Sequence, residues 1–520
     1  MPIRITGLNS GLDTDSIVQE LVSAYRTKQD KYKKEQTKLS WKQDAWKEMN
    51  TKIYNFYTKS LSNMRRVGNF NKKITTVSDS TKATVTAGSG VINGTQTLKI
   101  NQLATAGYLT GNELKMSGSS DKIDANTSLS SLGVSGGTLT LEVGGERKSI
   151  NVTSDMTVRD FTKALSEQGV TANFDTTQQR FFLNSVESGI SNDFKFVVNN
   201  GDTNTFNMLN SLGLATENNY KETFGTTTVP DADKEKYSFV IKQDATNAKI
   251  ELNGAYFQGE SNTFSINGLN ITATGTTGNS VMTITTSTDV DGIYNMVKDF
   301  LKEYNEVVNA MEKSYNAAAA KGYEPLTDDE KAELSDKEVE QWEQKIKDSI
   351  LRRDDTLRSV LNGMSTNMSK TFEVNGKKYS LSSFGIKTAG YFSSAENESY
   401  AYHIDNDPDD SVSSANEDKL RKMIEEDPDA VASFFTQLAT SVYDDLHEKM
   451  TASPTLSSAY KVYNDKQMQS EYDEYTKTIK KWEEKLKDME DAYYKKFSAM
   501  ETALAKLQSQ TNSLSSLLGG

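Results

Sequence analysis

Cysteine is absent from the 520 residues of this chain, which removes disulfides, thiol nucleophiles and thiolate metal sites together. Histidine is nearly absent as well. With only His403 and His447 present, His-rich zinc sites and His-dependent triads have almost nothing to be built from. No run of about 20 apolar residues occurs, the length a helix needs to cross a bilayer, so no membrane insertion is expected. Positive charge is in deficit. The net charge of −13 argues against nucleic acid or an anionic membrane surface as the main partner. The opening residues, MPIRITGLNSGLDTDS, lack the apolar core of a secretory signal. The expectation is a chain that stays in the cytosol or leaves by a route without a cleaved signal.

What the sequence does contain is patterned helix at both ends. Ile479, Leu486, Tyr493, Met500, Leu507 and Leu514 repeat every seven residues, the heptad condition for a helix that packs on another helix. A second seam holds Trp482, Met489, Ala503 and Leu517 and is broken by Lys496 and Gln510, while Phe497, Leu504 and Leu518 widen the stripe. The face through Lys480, Lys481, Glu483, Glu484, Lys485 and Lys487 is charged. Such a helix cannot bury its stripe alone, and the comparable partner lies at the other end of the chain. Asp13 or Thr14 can cap a helix there, with Asp15 in its first turn. Ile17, Leu21, Tyr25, Tyr32 and Leu39 follow at helical spacing, then Trp46, Met49, Ile53, Phe56 or Tyr57, and Met64, with no Pro between Ile3 and Gly68. The expectation is a rod of two long helices built from both chain ends, with the rest of the chain carried at its far tip.

Between those ends the period changes from seven to two. From about Ile74 to Thr288 the chain is rich in Thr, Ser, Asn and Gly, with alternating runs such as Thr97–Leu103 and Thr138–Val143. Asn93-Gly94, Asn253-Gly254 and Asn267-Gly268 sit where type I′ hairpin turns want positive φ. This reads as an antiparallel β region of two small domains, interrupted by one short helix over Val158–Leu165. The polar Thr216–Pro230 stretch reads as a linker or exposed loop. Helix returns at Asp289 with Ile293, Val297, Phe300, Leu301, Tyr304 and Val308 on one face. Two capping boxes follow, Thr327 with Glu330 and Ser335 with Glu338. The second opens a helix with Trp342, Ile346, Ile350 and Leu351 inward. Phe372–Tyr379 reads as a hairpin around Asn375-Gly376, and Asp427-Pro428 as an N-cap with Pro at N1.

Three features invite a functional reading. Asp405-x-Asp407-x-Asp409 has the start of a calcium loop, but position six is Asp410 and position twelve is Asn416 where Gly and Glu belong, so a solvated acidic turn is expected. His403 and His447 each lie near carboxylates, yet no nucleophile motif such as G-x-S-x-G accompanies them, and both read as surface residues. Tyr25, Tyr32, Trp41 and Trp46 could bind a sugar or a membrane, but their helical spacing favours packing. No catalytic residue, metal or cofactor is expected.

Taken together, separated stretches of the chain resemble one family. Gly7-Leu8-Asn9-Ser10-Gly11-Leu12-Asp13-Thr14-Asp15-Ser16-Ile17-Val18 resembles the opening of the flagellar hook-associated protein 2 family, the filament caps of the bacterial flagellum. Lys242–Ala245 with the Asn-Gly hairpins, Trp342–Leu361, Gly385–Thr388 with Glu425–Val431, and the heptad tail to Leu518 are also similar to that family, in its order. The stretch from about Thr110 to Thr228 carries no such motif. The resemblance implies a multidomain α+β fold: long terminal helices forming a coiled-coil leg, a helical body, and inserted antiparallel β domains that form the plate above the legs. It implies a leg at 1–45 and 471–520, a body at 46–73 and 289–470, an inner β domain at 74–110 and 231–288, and an outer one at 111–230.

By the same resemblance the chain would be exported unfolded without a cleaved signal, to the extracellular tip of the flagellum. There it would form a cyclic homo-oligomeric ring on the filament and help exported flagellin fold and insert. Its implied partners are flagellin, other hook-associated axial proteins and an export chaperone covering the C-terminal helix. The residues expected to carry these contacts are the stripe Ile17, Leu21, Ile479, Leu486, Met500, Leu507, Leu514 and Leu518. Two alternatives stand beside this reading: a surface adhesin binding host glycans or proteins through exposed β domains, and another axial flagellar protein, either a junction protein or flagellin.

Overall fold

The computed structural model describes residues 10–116, 118, 121–390 and 393–518, without the side chains of 517 and 518. Gly7, Leu8 and Asn9 of the opening motif lie outside the described residues. Asp13 accepts a hydrogen bond from the Ser16 amide at 3.1 Å, and the helix α1 it caps runs Thr14–Asn55. The chain then widens into π-helical turns over Phe56–Leu61 before a short α2, Ser62–Met64. Nothing in the apolar spacing announces the π segment. Phe56, Tyr57, Ser60 and Leu61 are all buried within it.

Residues 71–289 form one compact unit. It begins with β1 Lys73–Val77, β2 Ala83–Ala87, β3 Gly94–Gln102 and β4 Tyr108–Thr110, followed by β5 Gly137–Val143 and β6 Glu146–Val152. Helix α3, Val158–Glu167, starts at a capping box in which Thr157 and Asp160 satisfy each other's backbone N–H. Then come β7 Val170–Asp175, β8 Arg180–Ser185, β9 Phe194–Val197, α4 Thr203–Ser211 and α5 Glu217–Phe224. The last strands are β10 Lys242–Gln243, β11 Ala248–Leu252, β12 Ala255–Gly259, β13 Thr263–Ile266, β14 Leu269–Ala273 and β15 Met282–Thr288.

The sheets of this unit serve two cores. A five-stranded sheet, β1-β15-β3-β11-β12, and a three-stranded one, β13-β14-β2, share Leu98, Ile100, Ile250, Leu269, Ile271 and Ile284. A four-stranded sheet, β10-β4-β8-β7, and a three-stranded one, β6-β5-β9, meet α3, α4 and α5 around Leu139, Phe161, Phe181, Leu183, Phe206 and Tyr220. The turn chemistry holds at Asn253-Gly254 and Asn267-Gly268, where both residues of each pair have positive φ between Leu252 and Ala255 and between Ile266 and Leu269. It does not hold at Asn93-Gly94. The strands on either side, β2 and β3, belong to different sheets. Asn93 instead accepts from Lys73 Nζ at 2.8 Å and donates to Thr288 Oγ1 at 3.2 Å.

The Thr216–Pro230 stretch is also not a linker. Thr216 and Asn219 make a capping box and α5 ends on Gly225 at φ 71°. Tyr220, Phe224 and Tyr237 close on the Phe206 ring with centroids 5.2–5.6 Å away. Polar composition hid a helix whose apolar contribution is a few aromatic side chains.

The remainder, with the N-terminal helix, is a second compact unit. It contains α6 Val290–Asn316, α7 Asp328–Ala332, α8 Asp336–Asp348 and α9 Asp355–Met368, then the hairpins β16 Phe372–Val374 with β17 Lys377–Tyr379 and β18 Ile386–Thr388 with β19 Tyr402–Ile404. Helices α10 Lys419–Glu426, α11 Pro428–Lys449 and α12 Asp465–Leu518 complete it. Both capping boxes form, at α7 and at α8, and Asp427 caps α11 with Pro428 at its start. One core runs through α1, α6, α9 and α11. Trp46, Ile53, Phe56, Tyr304, Leu357, Phe384, Phe434 and Phe435 are buried in it.

Candidate assembly interface

The two terminal helices pack on each other in antiparallel order. Going outward along the pair, Gln36 donates to Thr476 Oγ1 at 2.6 Å and the Tyr32 and Tyr475 rings lie 6.4 Å apart. Beyond them Arg26 reaches Glu490 at 3.2 Å, Tyr494 donates to Asp15 at 2.7 Å, and Ser10 bonds Glu501. At the inner end Trp46 stacks on Tyr463 with centroids 5.3 Å apart, and Asn50 accepts from the Val462 amide at 2.9 Å. The aromatic residues of α1 are therefore packing residues, and Trp41 carries Lys347 4.8 Å over its ring.

The stripe residues divide along this pair. Ile479 and Leu486 are buried, and Ile17 and Met500 are half-buried. Leu21 is 42% exposed, because Val18 and Val22, buried completely, hold the α1 seam. Helical rotation of about 100° per residue carries the next position out of a narrow contact, and the spacing Thr14-Val18-Val22 in the sequence would have found it. Past Glu501 no described residue of α1 stands opposite α12. Leu507 and Leu514 are 59% and 60% exposed, so they are not part of the intramolecular seam. Leu518 is the last residue of α12; its side chain lies outside the described residues.

The acidic turn is a closed electrostatic cluster. Lys298 Nζ contacts Asp407 at 2.7 Å and Asp409 at 2.6 Å, taking the place a cation would occupy among those carboxylates. Burial works against the lysine charge, but the two hydrogen bonds outweigh it and hold its pKa well above the ordinary range. Asn416 and Lys387 both engage Asp405. His403 is not a surface residue as expected: its side chain is largely covered and bonds Asp410 at 2.6 Å, because β19 pairs with β18 and draws it in. His447 is exposed, sharing a 2.8 Å hydrogen bond with the Tyr57 hydroxyl. Among the described residues no group of three or more His, Cys, Asp or Glu is arranged to hold a metal, and no helix is long and apolar enough to cross a membrane.

These features define a helical unit closed by its own two ends, with a β unit inserted in sequence. Residues 10–107 match the family described as flagellar hook-associated protein 2 N-terminus, and residues 245–509 match its C-terminus. The chain is 26% identical over 474 residues to flagellar hook-associated protein 2 of Halalkalibacterium halodurans, covering 88% of this chain and 84% of that one. It is 29% identical over 319 residues to the A-type flagellar hook-associated protein 2 of Pseudomonas aeruginosa, covering 58% and 62%. Its fold is similar to the crystal structure of the D1-D2-D3 domains of the Escherichia coli flagellar cap protein, with a TM-score of 0.50 at 17% identity over 77% of this chain and 95% of that one. The chain belongs to the flagellar hook-associated protein 2 family, and its role is flagellar filament capping. The proteins of this family are structural, and they sit at the flagellum tip.

Proposed function

We propose that this chain caps the filament as a closed cyclic homo-oligomer, with heterologous contacts repeated around the ring as closure demands, and that it helps flagellin fold and insert there. The two terminal helices act as the leg, and the C-terminal part of α12 is its docking element. The observation that carries this reading is the apolar stripe of α12 continuing beyond Glu501, the outermost α12 residue bonded from the N-terminal side among the described residues. Leu507 and Leu514 are exposed there, separated by the polar run Gln508-Ser509-Gln510-Thr511-Asn512-Ser513. A face of that kind is complementary to another helix. Flagellin or another hook-associated axial protein covers it in the assembled filament, and an export chaperone covers it before secretion. No catalytic role is assigned.

The test is a paired one. Leu507→Ser with Leu514→Ser removes two exposed contacts, so thermal melting of the free protein should be unchanged. Burying each Leu on docking contributes about 1.5–3 kcal/mol at most, so the double variant should weaken docking by one to several powers of ten and fail to restore filaments in a cap-deficient cell. Normal filament growth with this tail would refute the assignment.

A further inference from the structure

Asparagine followed by glycine occurs at Asn93, Asn200, Asn253, Asn267, Asn362 and Asn375. In such a pair the glycine nitrogen can attack the asparagine Cγ, since no glycine Cβ crowds the approach. The N–Cγ bond forms, the Cγ–Nδ2 bond breaks, and the glycine amide proton leaves with the amide group as ammonia. Water then opens the cyclic imide at one of its two carbonyls, giving aspartate or isoaspartate. Two conditions must hold. The carboxamide must be free to turn towards the following nitrogen, and that N–H must not already be donating. Exposure does not separate these pairs, because all the asparagines are exposed. Hydrogen bonding does.

Gly363 lies inside α9, where its N–H belongs to the helix ladder. The Gly201 amide donates to the Thr223 carbonyl at 3.0 Å, and Lys73 and Thr288 hold both ends of the Asn93 carboxamide. The other three pairs share one turn. Asn253, Asn267 and Asn375 have φ of 53°, 48° and 51°, and the glycines after them 81°, 79° and 76°. Each joins directly paired strand residues, as a two-residue I′ turn does. Yet Asn253 is locked: its Oδ1 accepts from the Thr97 amide at 2.9 Å and its Nδ2 donates to Gln96 Oε1 at 3.1 Å. The Asn267 carboxamide has no such partner among the described residues, but its glycine is gripped. The Gly268 carbonyl accepts from the Gly88 amide at 2.9 Å, and a Cβ on Gly268 would stand 2.8 Å from Val91.

Asn375 escapes every restraint. Among the described residues neither its carboxamide nor the Gly376 N–H has a hydrogen-bond partner, and nothing lies within 4 Å of a Cβ built on Gly376. We propose that Asn375 is a site of spontaneous deamidation, selected by the fold from a set of chemically alike pairs. Aspartate fits the left-handed turn that asparagine occupies. Isoaspartate does not, because it adds a backbone atom between Val374 and Lys377, whose pairing leaves room for two residues only. The strain falls on the hairpin that sets the Phe372 ring 5.8 Å from Phe434. None of this depends on how α12 docks.

The test is incubation of the full chain in mildly alkaline buffer, with peptide mass spectrometry following each Asn-Gly pair over time. A parallel sample is held in denaturant. In the folded chain Asn375 should convert at least tenfold faster than Asn253, with Asn267 between them and isoaspartate among the products. In denaturant the spread should collapse. Equal rates at Asn253 and Asn375 in the folded chain would overturn the proposal. So would an Asn375 that persists when folded but converts when unfolded, because the turn would then protect it. The same spread with and without denaturant would also overturn it, since local sequence alone would then set the order.

Discussion

Gln29 and Gln36 lie one heptad apart on α1, and replacing each with Leu separates two kinds of polar seam residue. Gln36 donates to Thr476 Oγ1 at 2.6 Å and to the Tyr472 carbonyl at 3.4 Å. Gln29 is 5% exposed, lines the same cleft as Ile479, and its amide nitrogen has no acceptor. A buried donor without a partner costs about 1–3 kcal/mol, whereas a satisfied hydrogen bond contributes about 0.5–1.5 kcal/mol net. Gln29→Leu removes the penalty and adds apolar surface beside Ile479, so it should stabilise the helical unit by about 1–3 kcal/mol. One kcal/mol shifts the midpoint of a unit this large by about 2–4 °C, so the helical transition should rise by roughly 2–12 °C. Gln36→Leu should leave that midpoint unchanged or lower it by roughly 1–6 °C. The assay is thermal unfolding of the full chain followed at 222 nm. If Gln29→Leu lowers the midpoint, or if both variants shift it equally, the Gln29 amide is paired in solution and the seam carries no frustrated group there.

Two further outcomes follow from the same kind of reasoning. The Thr327 amide donates to Glu330 and, with the Lys34 ammonium at 2.9 Å, holds that carboxyl below its ordinary range. A depressed folded pKa contributes stability that is present above the unfolded value of about 4.3 and lost as pH falls through the folded one. Amide exchange over residues 327–332 should therefore speed up as pH drops below about 4 once intrinsic rates are divided out, and Glu330→Gln should remove that pH dependence. Phe206 is buried completely within the aromatic cluster that holds α5, so Phe206→Ala should destabilise the β unit by about 3–5 kcal/mol and expose 216–230 to protease, leaving the helical transition in place.

Much of the local structure could be read from residues whose chemistry acts within four positions. Side-chain oxygens at Thr327, Ser335 and Asp427 cap helices because the N–H groups they satisfy are close in sequence. Asn-Gly pairs make I′ turns because two residues must adopt positive φ, as at Asn375-Gly376 between Val374 and Lys377. What was not legible needed distant information. Asn93-Gly94 has the same turn residues as its neighbours, but β3 pairs with β15 and β11 instead of β2, a choice made by pairing nearly two hundred residues later in the chain. Helix α5 is polar in composition and is held by Phe206 and Tyr237 from either side of it. The π segment after Asn55 leaves the apolar spacing of the helix almost unaltered, so periodicity cannot report it.

The seam shows where periodicity stops being informative. A repeat of seven states that a helix has an apolar face; it does not state how much of that face its partner covers. Along α12 the same pattern runs from Ile479 to Leu514, yet Ile479 and Leu486 are buried while Leu507 and Leu514 are not. The difference lies in the partner, since among the described residues the outermost α1-side hydrogen bond to α12 is Ser10 with Glu501. On α1 the pattern misplaced the seam by one residue, choosing Leu21 over Val18 and Val22, because a Leu looks more apolar than a Val while burial is decided by angle. An enzyme's site can be sought as a constellation of reactive residue types. In a structural protein the site is the surface that the fold makes apolar and then leaves uncovered, so it becomes visible only by subtracting the contacts from the pattern.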